Sequence, residues 1–168
     1  GLGKTAIVLS SLRPEDLPAL VVAPKRVAEE VWPEERSLWR PDLTMALAAG
    51  GPEKRAEALQ KDVDVTVIGR DNLRDAVPHA KRYRTFVLDE LSSFKSHSAA
   101  RSRAALKISK VVPRVIGLTG TPAPNGLLDL WHQLKIIDLG ERLNTSVTTY
   151  RNRYFTPGRQ LANGVITE

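Results

Sequence analysis

Cysteine is absent and methionine occurs once. Without thiols there is no disulfide and no thiolate metal site, a composition that fits a reducing compartment. Histidines are scarce as well: His79, His97 and His132 are scattered without ligand spacing. They read as surface or packing residues, and a metal held by protein side chains alone is not expected. No apolar run approaches the roughly 20 residues that span a bilayer, and nothing has the layout of a secretory leader. Aromatic residues make up only 5% of the chain. Its tryptophans, Trp32, Trp39 and Trp131, lie in helical settings, where they are expected as core or interface anchors rather than base-stacking platforms.

Acidic residues are in the minority, 19 against 25 Lys and Arg, for a net charge of +6. A basic surface attracts polyanions through counterion release, although many basic domains bind no nucleic acid. The 168 residues, 42% hydrophobic and 26% charged, have the size and balance of one globular domain.

What is present is an alternation of strand and helix patterns. Short apolar runs at Ala19–Ala23, Leu43–Ala48, Val63–Ile68, Thr85–Leu88 and Val115–Leu118 read as buried strands. Between them, Val27–Trp39, Pro52 to about Lys61, a short piece around Asp71–Ala76, and Ala99–Lys110 read as helices, with Leu127–Ile137 closing the series. In the first of these, Val27, Val31, Leu38 and Trp39 are expected to face the core, and Pro33 marks a kink or the true start. Such alternation predicts an α/β fold with a mostly parallel sheet covered by helices on both faces, and ligands at the carboxyl ends of the strands. From Asn144 onward the pattern loosens: a helix around Tyr150–Phe155 and then a linker or partial hairpin over Thr156–Glu168 are expected.

Three stretches carry chemistry, and all fall where strands end or a helix begins. Gly1-Leu2-Gly3-Lys4-Thr5 is the end of a glycine-rich phosphate loop, with Ala6 opening the helix behind it. There backbone N–H groups and a helix dipole meet phosphate, Lys4 supplies a point charge, and Thr5 offers a hydroxyl to Mg²⁺. The earlier part of that loop and the strand feeding it would precede Gly1, so the sheet is expected to lack its first strand, a central member, and to expose edges prone to aggregation. Asp89-Glu90 follows a strand; taken alone it is a solvated acidic pair, but downstream of Gly3-Lys4-Thr5 it fits a Mg²⁺ carboxylate and a general base for water. The third stretch, Thr119-Gly120-Thr121-Pro122, is a compact hydroxyl-bearing loop that alone would be a plain turn.

These stretches resemble motifs I, II and III of the Swi/Snf-type superfamily-two helicases, especially compact phage and bacterial members. Ala23-Pro24-Lys25 resembles motif Ia, and Asp129-Leu130-Trp131 resembles the segment that follows motif III. The resemblance implies a three-layer αβα P-loop NTPase (RecA-like) lobe over residues 1–143, with 144–168 as an extension toward a second such lobe. By the same likeness, the parent hydrolyses ATP with Mg²⁺ to move along DNA. Gly1, Leu2, Gly3, Lys4, Thr5 and Ala6 would hold nucleotide, Thr5 and Asp89 the metal, and Lys4, Asp89 and Glu90 would act in hydrolysis. Thr119, Gly120 and Thr121 would couple hydrolysis to DNA grip. Double-stranded DNA would be held by its backbone with little sequence preference at Lys25, Arg26 and Arg70, with Lys95, Arg101 and Arg103 as further candidates. The implied setting is the cytoplasm of a bacterium or of a phage-infected host, with no membrane partner.

Leu91 stands where many relatives carry Ala, Gly or Ser, a departure that argues against the DEAD-box RNA branch. Because arginines across the cleft belong to the second lobe, the 168 residues alone are expected to turn over ATP poorly or not at all. A P-loop kinase or another NTPase is the runner-up, though it leaves the Thr-Gly-Thr-Pro loop unexplained; the non-enzymatic alternative is a DNA-binding scaffold derived from a helicase.

Overall fold

The computed structural model describes residues 3–123 and 125–156. Five strands, β1 (Ala19–Ala23), β2 (Met45–Ala48), β3 (Val65–Gly69), β4 (Thr85–Asp89) and β5 (Arg114–Leu118), form one sheet in the order β2-β3-β1-β4-β5. Every pairing is parallel, with Ala19 opposite Val65 on one side and Thr85 on the other, and Asp89 opposite Leu118. The strands therefore start level and deliver their C-terminal residues to one edge.

Period-two alternation sends β1 to both layers. Ala19, Val21 and Ala23 pack with Val67, Val87 and with Val8, Leu9 and Trp32 from α1 (Lys4–Ser11) and α2 (Trp32–Trp39). Leu20 and Val22 face the opposite layer, where α3 (Pro52–Gln60), a 3-10 run over Arg70–Arg82, α4 (Ala100–Ser109) and α5 (Leu128–Asp138) bring Leu59, Leu73, Ile108 and Ile136. Arg40 ties the first layer together: its guanidinium donates to the carbonyls of Leu9 (3.1 Å), which also accepts the Leu12 N–H, and Leu12 (2.7 Å) at the end of α1, while Asp42 holds it at 2.8 Å. A last helix, α6 (Val147–Tyr154), is fastened to the α5 layer by Tyr150 Oη donating to the Leu127 carbonyl at 2.9 Å.

The structure corrects three details of the sequence reading. A π-turn over Val27–Val31 precedes α2, in which the Trp32 N–H reaches back to the Val27 carbonyl. The wider turn shifts the 3.6-residue pattern, so Trp32 faces the sheet, whereas Leu38 (68% exposed) and Trp39 (56%) face solvent. The helical piece expected near Asp71–Ala76 extends to Arg82, because Leu73, Ala76 and Ala80, all buried, keep one side on the sheet past Pro78. The sheet also has no central gap. Its strands pair contiguously, and the open edges are β2 and the half-buried β5, so any additional strand has room only outside them. His97 and His132, far apart in sequence and expected as surface or packing residues, have ring centroids 6.3 Å apart. The linker expected over Thr156–Glu168 lies outside the described residues after Thr156. Among the described residues, no helix is long and apolar enough to cross a membrane.

Candidate nucleotide site

Gly1 and Leu2 lie outside the described residues, so the loop begins at Gly3, whose φ of +66° is a left-handed conformation suited to glycine. Lys4 is the first residue of α1; Thr5 and Ala6 follow, half-buried. Among the described residues no side chain caps this helix, and no acidic residue occupies its first turn. Its leading N–H groups and positive dipole end are thus left to an anion, and the donor chemistry of Gly3, Lys4 and Thr5 fits a nucleotide phosphate with its Mg²⁺.

β4 ends on Asp89, which is 8% exposed, and Glu90 turns the chain with φ 60° and ψ 61°. A non-glycine residue there is strained by about 1–2 kcal/mol, and the turn is held by the Ser93 N–H donating to the Glu90 carbonyl at 3.0 Å. Two hydroxyls donate to one Glu90 carboxylate oxygen: Ser92 Oγ at 2.6 Å and Thr119 Oγ1 at 3.2 Å. Thr119 Oγ1 in turn accepts the Thr121 N–H at 3.1 Å. The ends of β4 and β5 are therefore joined through side chains, with the other Glu90 oxygen left open among the described residues. Asp89 has a partner that sequence reasoning missed: Trp32 Nε1 donates to its Oδ2 at 3.0 Å in a buried hydrogen bond. No local signal reveals that contact, since the partners are 57 residues apart.

Behind the loop, Gln133 Nε2 on α5 donates to the Pro122 carbonyl at 2.7 Å. Asp129 accepts the Asn125 N–H (3.2 Å) and Lys95 Nζ (3.2 Å), anchoring the segment after β4 to the one after β5. Gly120 has open space where a Cβ would project, so space does not demand glycine there. Gly117 is different: an added Cβ would lie 2.6 Å from Leu91 Cδ2 and 2.9 Å from Ile137 Cδ1. The unusual Leu91 is buried against that glycine.

His132 on α5 is buried, and neither ring nitrogen makes a hydrogen bond among the described residues. Burial, then the nearby His97 and Lys135, push its pKa down to about 4, so it is neutral at pH 7. Trp131 beside it is also buried, as an anchor of α5, and donates from Nε1 to the Asn144 carbonyl at 3.0 Å.

The basic candidates divide. Lys25 lines a cavity of about 180 Å³ with Gly50, Gly69 and Asn72 beyond the ends of β1, β2 and β3. Arg26 is exposed and paired with Glu30 at 2.8 Å, a contact that raises its pKa further. Arg70 begins the 3-10 run, and its Nε is buried without a partner among the described residues. Lys95 is held by Asp129, and Arg101 by the Ser93 carbonyl (3.0 Å) and Asp71 (3.4 Å), so both are engaged in structural contacts.

The chain is similar to several known proteins. A protein of Acyrthosiphon pisum secondary endosymbiont phage 1, named p41, is 36% identical over 95% of this chain. The DNA annealing helicase and endonuclease ZRANB3 of Bos taurus is 32% identical over 92%. The chain spans 39% of the phage relative's length and 15% of the bovine one's. Among solved structures, the Sulfolobus solfataricus SWI2/SNF2 ATPase core in complex with dsDNA superposes with a TM-score of 0.78 at 28% identity, over 94% of this chain and 33% of that one. The family model of the SNF2-related domain matches residues 1–166, and the chain belongs to that family.

Proposed function

We propose that this chain is the nucleotide-binding lobe of an ATP-dependent DNA translocase or helicase. The observation that carries the reading is the link from Thr119 to Glu90, since it ties the residue placed to activate water to the loop placed to sense DNA. In this reading the leading N–H groups of α1 bind the nucleotide's phosphates, and the Lys4 ammonium neutralises charge building on the outer ones. Glu90, held by the Ser92 and Thr119 hydroxyls at one oxygen, uses the other to orient the attacking water and take its proton. Trp32 fixes the Asp89 carboxylate from behind. When bound, Mg²⁺ would be held by Thr5 and Asp89 and would offset the phosphates' negative charge. The Thr119-Gly120-Thr121 loop transmits the state of the site to the track.

The track we assign is double-stranded DNA, held by its backbone at Lys25, Arg26 and Arg70. Support comes from their position beyond the strand ends and from the archaeal structural neighbour, an ATPase core in complex with duplex DNA. Residues 1–143 would form the lobe proper and 144–168 the way to a second RecA-like lobe. We infer that the second lobe supplies the arginines, so the 168 residues alone hydrolyse ATP poorly; robust turnover by them, abolished by Lys4→Ala, overturns this. The phage relative supports action in a bacterial or phage-infected cytoplasm.

The test is ATP hydrolysis by the full-length protein without nucleic acid and then with double-stranded DNA, single-stranded DNA or RNA, beside Glu90→Gln. Stimulation by duplex DNA, lost in Glu90→Gln, is the expected result. Hydrolysis indifferent to every nucleic acid points to another P-loop NTPase, and no hydrolysis points to a binding scaffold.

A further inference from the structure

Between Glu90 and Asp129 the chain has no acidic residue, yet it carries Lys95, Arg101, Arg103, Lys107, Lys110 and Arg114. Lys95, Arg101 and Arg114 are spent on ion pairs with Asp129, Asp71 and Asp16. Arg103 and Lys107 are not. They line, from α4, a groove of about 370 Å³ whose opposite wall is the 3-10 run, with Arg74 on that wall and Val77, Pro78 and Ala104 among its lining residues. Arg74, Arg103 and Lys107 are all exposed, and none has a salt bridge among the described residues. The nearest acidic residues on the facing run are committed elsewhere, Asp71 to Arg101 and Asp75 to Arg55 at 2.7 Å.

This arrangement works against the isolated lobe. Arg103 and Lys107 stand four apart, where like charges repel along a helix, and Arg103 lies in the first turn of α4, where the dipole disfavours cations. Three converging cations with no carboxylate among them gain most from a polyanion that enters from solvent. Four residues of α-helix span about 6 Å, so Arg103 and Lys107 can address successive phosphates of one strand, which rise about 3.4 Å each along the axis, while Arg74 reaches the same strand from across the groove. The apolar part of the lining is only Val77, Pro78, Ala100 and Ala104, with no aromatic or long aliphatic side chain to anchor a peptide, which favours a uniform phosphate backbone over an acidic peptide.

We propose that the groove between the 3-10 run and α4 is a second phosphate-backbone contact for duplex DNA. It is distinct from Lys25, Arg26 and Arg70 at the strand ends, and it lies along the outer side of the helical layer. The proposal rests on the translocase reading for its ligand, but on the groove itself for its location.

The experiment measures duplex affinity of the full-length protein by fluorescence anisotropy over a series of salt concentrations. Wild type is compared with Arg74→Gln/Arg103→Gln/Lys107→Gln and with Lys54→Gln/Lys61→Gln/Arg142→Gln, which removes the same charge elsewhere. Melting by circular dichroism shows that each variant is folded. The groove variant should lower the slope of log K against log salt by about 2 to 3, at about 0.9 per lost phosphate contact, while the control changes it by less than about 1. An unchanged slope, or an equal fall in both variants, overturns the proposal and leaves the translocase reading standing. Failure of wild type to bind duplex at all overturns both. Loss of binding to polyglutamate with duplex binding intact overturns the proposal in favour of an acidic protein partner.

Discussion

The contact between Trp32 and Asp89 joins the core to the proposed metal carboxylate, and replacing Trp32 with Phe tests whether it matters. The indole is fully buried and donates at 3.0 Å to a carboxylate that is 8% exposed. Phenylalanine keeps the apolar packing against Val21, Val67 and Val87 but removes the donor. A hydrogen bond to a charged group contributes about 1.5–3 kcal/mol. The smaller ring leaves a void costing on the order of 1 kcal/mol more, so a total loss of roughly 2.5–4 kcal/mol is expected. A double-mutant cycle separates these terms: urea unfolding at pH 7 of wild type, Trp32→Phe, Asp89→Ala and the double variant. The coupling should be about 1.5–3 kcal/mol, because with the carboxylate gone only the packing term remains. A coupling below about 0.5 kcal/mol refutes the reasoning. The Trp32→Phe protein should also gain less thermal stability from Mg·ATP than wild type does, because its Asp89 is no longer held in place.

Three other perturbations follow from the same geometry. His132, with its pKa lowered to about 4 by burial, binds a proton more readily unfolded than folded. Its contribution is therefore complete above about pH 6.5 and is lost as the pH falls toward 4; from pH 7 to 5 the loss is about 2 kcal/mol. Urea midpoints should show His132→Leu gaining on wild type by that amount over this interval, and parallel pH profiles would contradict it. Ser92→Ala removes the 2.6 Å donor to Glu90 and should lower kcat in the full-length protein by roughly 5- to 10-fold, about 1 kcal/mol, with KM unchanged and Ser92→Thr restoring it; an unaltered kcat would make the contact incidental. Gly117→Ala should cost about 1–3 kcal/mol by overpacking, with part of the loss recovered by Leu91→Ala, as read from melting temperatures. A loss that Leu91→Ala leaves untouched would place the clash elsewhere.

Much of this molecule was legible in order along the chain. Short strands apolar on both faces, separated by helix-length segments, specify a parallel sheet wrapped on both sides, since buried strands need no alternation and parallel ones need crossovers. Because motif residues follow strands, their meeting at one sheet edge was also foreseeable: Asp89-Glu90 and Thr119 do arrive there, from neighbouring strands. What the chain order conceals is every contact that depends on how layers register. The π-turn at Val27–Val31 adds a residue to one turn, so the 3.6-residue count from Val27 pointed Leu38 and Trp39 inward, whereas Trp32, expected as an anchor from its residue type, is the one that faces the sheet. The pairing of His132 with His97 and the open edge at β5 arise from packing and strand order, which no local pattern encodes.

By itself, the sequence determined the fold class, the family likeness and the identity of the chemical groups, because those reside in residue types and their spacing. Only the tertiary structure decided which groups touch: Trp32 behind Asp89, the Ser92 and Thr119 hydroxyls on one Glu90 oxygen, and three cations around one groove. Hydrogen bonds and charge pairs act over a few ångströms, and residues tens of positions apart come within that range only when the sheet and its helices have packed.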